Sequence, residues 1–310
     1  MLAILGITFP IFAAIALGFG LGRFGFFTPP QIGTLSKFVI NIALPALIFN
    51  AVASRPIGEV FSFPYMATML VGGVLTLLIC FAWFSRTGPV RRAVALMGAV
   101  VPNSAFIGFP LMVMVFPDDA GLILSMNLLI ENVILIPFLL AAIEMARGAE
   151  GTGGVHLGQV FLSVLKRPMI IGLILGLVVS VVGLTLPAPV DRLTTMFANS
   201  ASAIALVVIG GSLAGLSTKG NRAMAAQIAA MKLIVHPAMV ALAAVALMSM
   251  GIGLDADMRA AAIISAAISS FAIYTLLVDG TKHEGLASLA LLIGTVGSFV
   301  TLNLVLYLLT

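Results

Sequence analysis

The sequence predicts an all-α membrane protein: ten transmembrane helices in two inverted five-helix repeats, with helices 4 and 9 broken. Three observations lead there. Of the 310 residues, 61% are hydrophobic and only 8% charged, where a soluble domain carries roughly 25% charged residues. Apolar segments recur at the length that spans a bilayer, about 20 residues. The two halves of the chain also share their punctuation. At a shift of 158 residues Pro10 falls on Pro168, Gly18 on Gly176, Pro29 on Pro187, Leu35 on Leu193 and Asn41 on Asn199.

Taken in order, the expected spans are 2–22, 31–53, 64–85, 90–116 (broken), 120–145, 160–183, 190–215, 222–249, 259–278 (broken) and 283–309. Met1-Leu2-Ala3-Ile4 lacks a basic region, so the first segment reads as a span and not as a cleaved signal. Only 146–159, with Gly148, Gly151, Gly153 and Gly154, reads as a flexible linker. It separates a first repeat, 1–145, from a second, 160–310. Each repeat has an odd number of spans, so the second enters the membrane upside down. Inverted repeats mark secondary transporters, whose sites lie at the midplane between repeats. Gly18 with Gly22 and Gly172 with Gly176 read as close helix packing.

The fourth span carries Pro102-Asn103-Ser104-Ala105-Phe106-Ile107-Gly108-Phe109-Pro110 between apolar flanks. Pro102 lacks an N–H and clashes with the preceding turn, which kinks or breaks the helix. Broken backbone at membrane depth needs protein or a watery cavity around it. The restarted half-helix points bare N–H groups and a positive dipole end into that cavity, which suits an anion. The ninth span has a counterpart in Ser269-Ser270-Phe271, which aligns with Ser104-Ala105-Phe106 at a shift of 165 and carries no proline.

Polar residues punctuate the apolar spans at one level. At 1.5 Å per residue, Asn41 lies ~15 Å into its span, Asn199 ~14 Å, Asn103 ~19 Å, Ser269 ~15 Å, Glu131 ~16 Å and Lys232 ~15 Å. All fall near the middle of a core ~30 Å thick. Asn103, Ser104, Phe106, Ser269, Ser270, Asn41 and Asn199 are therefore the candidate substrate-binding residues. Glu131, Asn132, Lys232 and His236 are the candidates for coupling to an ion. A carboxylate at the bilayer centre is costly and is read first as functional; Glu131 suits a proton or Na⁺. Lys232 has three readings: a partner of Glu131, a counter-charge to an anion, or a side chain that snorkels to the surface.

Orientation follows the positive residues. Arg23, Arg86, Arg91, Arg92, Arg147, Lys166, Arg167, Lys219, Arg222 and Lys282 collect on one side, against Arg55, Arg192 and Arg259 on the other. The richer side is expected in the cytoplasm, which leaves both termini outside. The net charge of +4 reflects these loops and gives no reason to expect nucleic acid as a partner. Cys80 is the one cysteine, which excludes intramolecular disulfides and Cys-cluster metal sites. Gly211-Ser212-Leu213 lacks the glycine that follows a rhomboid-type serine, and no metal-ligating His cluster is present, so no enzyme is expected.

Several runs carry a family resemblance. Leu44-Pro45-Ala46-Leu47-Ile48-Phe49-Asn50 looks like the second span of the auxin efflux carrier family. Asn103 to Leu111 resembles that family's Asn-Thr-Gly-Phe-x-Gly-x-Pro-Leu signature, and Lys166-Arg167-Pro168 its Asn-Pro start of the sixth span. Lys232-Leu233-Ile234-Val235-His236-Pro237 is similar to the Lys-x-x-x-His-Pro of bacterial members. Glu131 to Pro137 looks most like the malonate-transporter branch. The resemblance implies the ten-span fold shared with plant PIN carriers and bile-acid-type sodium symporters. In it, spans 1, 2, 6 and 7 form a scaffold, spans 3–5 and 8–10 form a moving transport domain, and spans 4 and 9 cross at the substrate. The sequence departs from the family in lacking proline at the ninth-span break and in the seventh span near Ile204.

The expected function is secondary transport of a small organic anion, malonate-like or auxin-like, by alternating access. An anion channel or an uncoupled uniporter is the alternative. No organic cofactor or metal is expected, only H⁺ or Na⁺ as a coupling ion. Expected partners are the anion and membrane lipids, with a homodimer allowed, in a bacterial inner membrane with both termini periplasmic.

Overall fold

The computed structural model describes residues 2–149, 166–216 and 220–309. Most of the 146–159 linker, the start of the sixth span at 160–165 and Lys219 lie outside the described residues. The regular elements of the described residues are all helices, without a strand. The helices are α1 (Leu2–Arg23), α2 (Pro29–Ala53), α3 (Phe63–Trp83), α4 (Pro89–Val100), α5 (Ser104–Val115), α6 (Ala120–Gly148), α7 (Pro168–Val182), α8 (Ala188–Ala214), α9 (Arg222–Ser249), α10 (Ala256–Ala267) and α11 (Glu284–Leu309). By length and composition, seven of them can cross a membrane: α1, α2, α3, α6, α8, α9 and α11. Phe9, Leu17, Val178, Val181, Met196 and Leu308 face outward. Such an apolar exterior is stable against lipid, where every backbone group must be satisfied within the helix.

Local sequence sets the helix starts. Ser62 Oγ accepts from Tyr65 N at 3.3 Å, Asn221 Oδ1 from Met224 N at 3.0 Å and Asp255 Oδ1 from Met258 N at 2.8 Å. Each satisfies an orphan N–H of a first turn. Inside the helices, proline leaves a regular mark. Four π-helical turns, Val39–Ala43, Ser104–Gly108, Ile130–Leu135 and Met231–Val235, each end two residues before a proline. Those prolines are Pro45, Pro110, Pro137 and Pro237. A proline removes one rung of the hydrogen-bond ladder, and a π turn absorbs the gap with one extra residue. The same turns carry Asn41, Ser104, Glu131, Asn132 and Lys232.

Glycine lets four helices close on one another. Gly18 of α1 lies against Val207 of α8; a Cβ there would meet Val207 Cα at 2.8 Å. Gly176 of α7 lies against Phe49 of α2, where a Cβ would meet Phe49 O at 3.0 Å. The two contacts correspond under the 158-residue shift, Gly18 to Gly176 and Phe49 to Val207.

Two helices stop in mid-protein and meet. α4 ends at Val100 and α5 begins at Ser104. α10 ends at Ala267, and the chain resumes only as the single turn Tyr274–Leu277. Between them the backbones form one antiparallel bridge, Pro102 opposite Ser270. Asn103 N donates to Ser269 O at 2.9 Å, and Phe271 N donates to Val101 O at 3.3 Å. The bridge is antiparallel, so the two segments run in opposite senses across it: Asn103 bonds Ser269, and Val101 bonds Phe271. The extended pair thereby satisfies its N–H and C=O groups mutually in a dry interior.

Candidate functional site

The site is built on the α4–α5 break. Asn103 closes α4 off and starts α5: its Oδ1 accepts from Phe106 N at 3.4 Å, and its carbonyl accepts from Gly108 N at 2.9 Å. The side chain is 2% exposed, and its Nδ2 has no partner among the described residues. An unpaired buried donor costs about 1–3 kcal/mol. Asn103 lines a cavity of about 230 Å³ together with Ser104, Phe106, Glu131, Asn132, Arg167 and Phe271. At ~30 Å³ per water, that is room for a small polar molecule. A second cavity, of about 440 Å³, adjoins it through Phe106, Ala272 and Ile273 and runs between α1, α2 and α8.

Two charged side chains bracket the crossing. Ser104 Oγ, in the first turn of α5, donates to Glu131 Oε1 at 2.5 Å. Lys232 Nζ is fully buried and donates at 2.8 Å to the carbonyl of Ala266, in the last turn of α10. An acid thus stands at a helix N-terminus and a base at a helix C-terminus, each matched to the local dipole. Lys232 neither reaches the surface nor pairs with Glu131. Among the described residues, ion pairs within 4.0 Å join Arg55 to Asp119 and Arg147 to Glu144; Glu131, Lys232 and Arg167 join none. His236 follows one turn after Lys232, with Nδ1 3.1 Å from Thr76 Oγ1 and a buried Nε2 that has no partner among the described residues.

The remaining candidates fall in different places. Ser269 and Ser270 are at the crossing, with their hydroxyls turned into the protein. Ser270 Oγ donates to Gly98 O at 2.6 Å, and Ser269 Oγ accepts from Thr295 Oγ1 at 3.3 Å. Asn41 is exposed, donates to Lys37 O at 2.6 Å and lines a separate surface cavity with Pro45 and Phe49. Asn199 is exposed on α8. The structure does not bring either asparagine to the cavity at the crossing.

Two features escaped the sequence reading. Arg167, counted there among the loop charges, is half-buried, lines the crossing cavity and donates to Asn132 Oδ1. Its position directly before Pro168, at the start of an apolar run, was the available signal. The second is a buried triad. Tyr65 OH donates to Asn127 Oδ1 at 2.9 Å, Asn127 Nδ2 donates to Ser265 Oγ at 3.0 Å, and the two hydroxyls are 3.3 Å apart. It ties α3, α6 and α10 together behind the crossing.

The chain matches the Membrane transport protein family over residues 3–153 and 154–306. It belongs to this family, that of the auxin efflux carriers. A Rhizobium meliloti protein named "Putative malonate transporter" is 25% identical over 315 residues, covering 99% of this chain and 96% of that protein. "Uncharacterized transporter YfdV" of Escherichia coli K12 is 27% identical over 217 residues, 68% of each chain. Auxin efflux carrier component 2 of Arabidopsis thaliana is 27% identical over 154 residues, 48% of this chain and 24% of that protein. This family member is thus similar along almost its whole length to the Rhizobium protein, and all three of these relatives carry the names of transporters or carriers.

Proposed function

We propose that the protein is a secondary carrier of a small organic anion that binds at the α4–α5 break and crosses by alternating access. The observation that carries this reading is the buried Nδ2 of Asn103, without a partner among the described residues, in a residue that lines a small cavity at the N-terminus of a restarted helix. An anion supplies the missing acceptor and meets a positive dipole end. The malonate in the Rhizobium relative's name supports a carboxylate.

The architecture that serves this function is ten spans in two inverted repeats, in a bacterial inner membrane with both termini periplasmic. The matched contacts of Gly18 and Gly176 and the reciprocal hydrogen bonds at the crossing support the repeat. α1, α2, α7 and α8 act as the scaffold. The second cavity lies between that scaffold and the crossing, where a sliding transport domain needs room. Glu131 serves as the coupling group. While ionised it holds the anion position at the start of α5; when a proton or Na⁺ neutralises it, the substrate anion can settle there without repulsion.

Thermal shift of the purified protein with sodium malonate tests the site, since a ligand stabilises the state it binds. Asn103→Ala is expected to keep its helix content and to lose malonate affinity by about tenfold or more, the value of a hydrogen bond to a charged group. Unchanged affinity in the mutant contradicts the proposed site.

A further inference from the structure

Arg167 has the properties of a ligand-binding group at membrane depth. Its guanidinium reaches Asn132, which lies twelve residues into the 29-residue helix α6. That is ~18 Å along the helix axis, close to the middle of a bilayer core. A charge at this depth is costly and calls for a reason. Among the described residues no carboxylate pairs with Arg167; its partner is the neutral amide oxygen of Asn132. Arg167 also shares its cavity with Asn103, whose free amide N–H groups have no acceptor. One small cavity is therefore lined by two separate donor residues, an amide at the helix break and a guanidinium fork at the N-cap of α7. A guanidinium binds a carboxylate through two parallel hydrogen bonds, a geometry that lysine cannot reproduce.

We infer that Arg167 receives a second carboxylate and makes this a dicarboxylate carrier: one carboxylate sits on Asn103 at the start of α5, and the other sits on Arg167. The inference rests on the anion site proposed above and names its substrate class. A monocarboxylate of the same chain length fills only the Asn103 end and leaves the guanidinium on Asn132. A short dicarboxylate replaces Asn132 as the partner of Arg167 and so draws α7, a scaffold helix, towards α5 and α6.

Purified protein is titrated with malonate and with propionate, three-carbon acids that differ in one carboxylate, and affinity is read by thermal shift. The wild type is expected to bind malonate at least about tenfold more tightly than propionate. Arg167→Gln is expected to lose that preference, with malonate falling to the propionate level and propionate itself unchanged. Arg167→Lys, which keeps the charge and the fold, is expected to fall in between, and its malonate-to-propionate ratio decides the matter if Arg167→Gln does not fold. Arg167 variants that keep the wild-type ratio overturn the inference, as does a wild type that binds both acids alike; in both cases the anion site at Asn103 stands. Binding of neither acid overturns the anion site and the inference together.

Discussion

Glu131 and Lys232 are the two side chains whose burial needs the most explanation, and the crossing explains both. Each sits on a π turn and faces the broken end of another helix, the acid at the start of α5 and the base at the end of α10. Since Glu131 is not paired with Lys232, removing its charge does not leave an orphaned ion partner, and its substitution reads on function. Glu131→Gln mimics the neutral form and still accepts from Ser104. It is expected to sustain exchange of substrate across the membrane and to lose accumulation driven by a proton or sodium gradient. Gradient-driven uptake in liposomes checks this, and accumulation at the wild-type level contradicts a coupling role. At this scale the sequence exposed residues whose polarity clashes with their surroundings: Asn103, Ser104, Glu131 and Lys232 all stand at the crossing. It was blind to direction. Asn41 and Asn199 share the expected depth but face outward, because depth along a helix says nothing about azimuth. Arg167 was hidden for the opposite reason. An arginine at a helix start looks like a loop charge until the neighbouring helix shows how deep that start lies.

The elements are shaped by prolines that the membrane context tolerates. Every one of the four π turns ends two residues before a proline, and Pro137 shapes the turn that presents Glu131 and Asn132. Pro137→Ala restores the missing N–H and lets α6 become regular, which turns the residues before it about the axis by about 100°. Such a protein is expected to be at least as stable as the wild type and to bind malonate at least about tenfold more weakly. Wild-type affinity together with raised stability contradicts the role given to the turn. The ninth-span break is held differently, without proline. Tyr274 OH donates to Val94 O at 2.7 Å, and Ser270 Oγ to Gly98 O. Gly98 leaves space for this: a Cβ there would lie 2.6 Å from Tyr274 Oη. Gly98→Ala is expected to push the tyrosine away and to destabilise the protein by about 1–3 kcal/mol, read as a fall in melting temperature; an unchanged melting temperature contradicts it. The first break was legible in the sequence because Pro102 announces it. The second was visible only through its likeness to the first, Ser269-Ser270-Phe271 beside Ser104-Ala105-Phe106, because it carries no proline.

Across the whole molecule, the repeat and the topology stand together. The proposed opposite entry of the two halves draws on the expected odd number of spans in each half, on the nine positive residues besides Arg167 that collect on one side, and on the matched glycine contacts. Labelling of Gly151→Cys in a Cys80→Ala background is expected only from the cytoplasmic side. Labelling from outside intact cells contradicts both the charge count and the inverted arrangement. The class of fold was written in the composition, whose apolar runs leave few alternatives, whereas the cavity depends on how helices distant in sequence meet. The central claim is that the anion moves by alternating access through the crossing. Counterflow of labelled malonate in liposomes tests it most directly. The account predicts saturable uptake, accelerated by unlabelled malonate inside the vesicles and lost in Asn103→Ala. Flux that does not saturate, ignores the internal anion and survives Asn103→Ala would contradict it and leave a channel in its place.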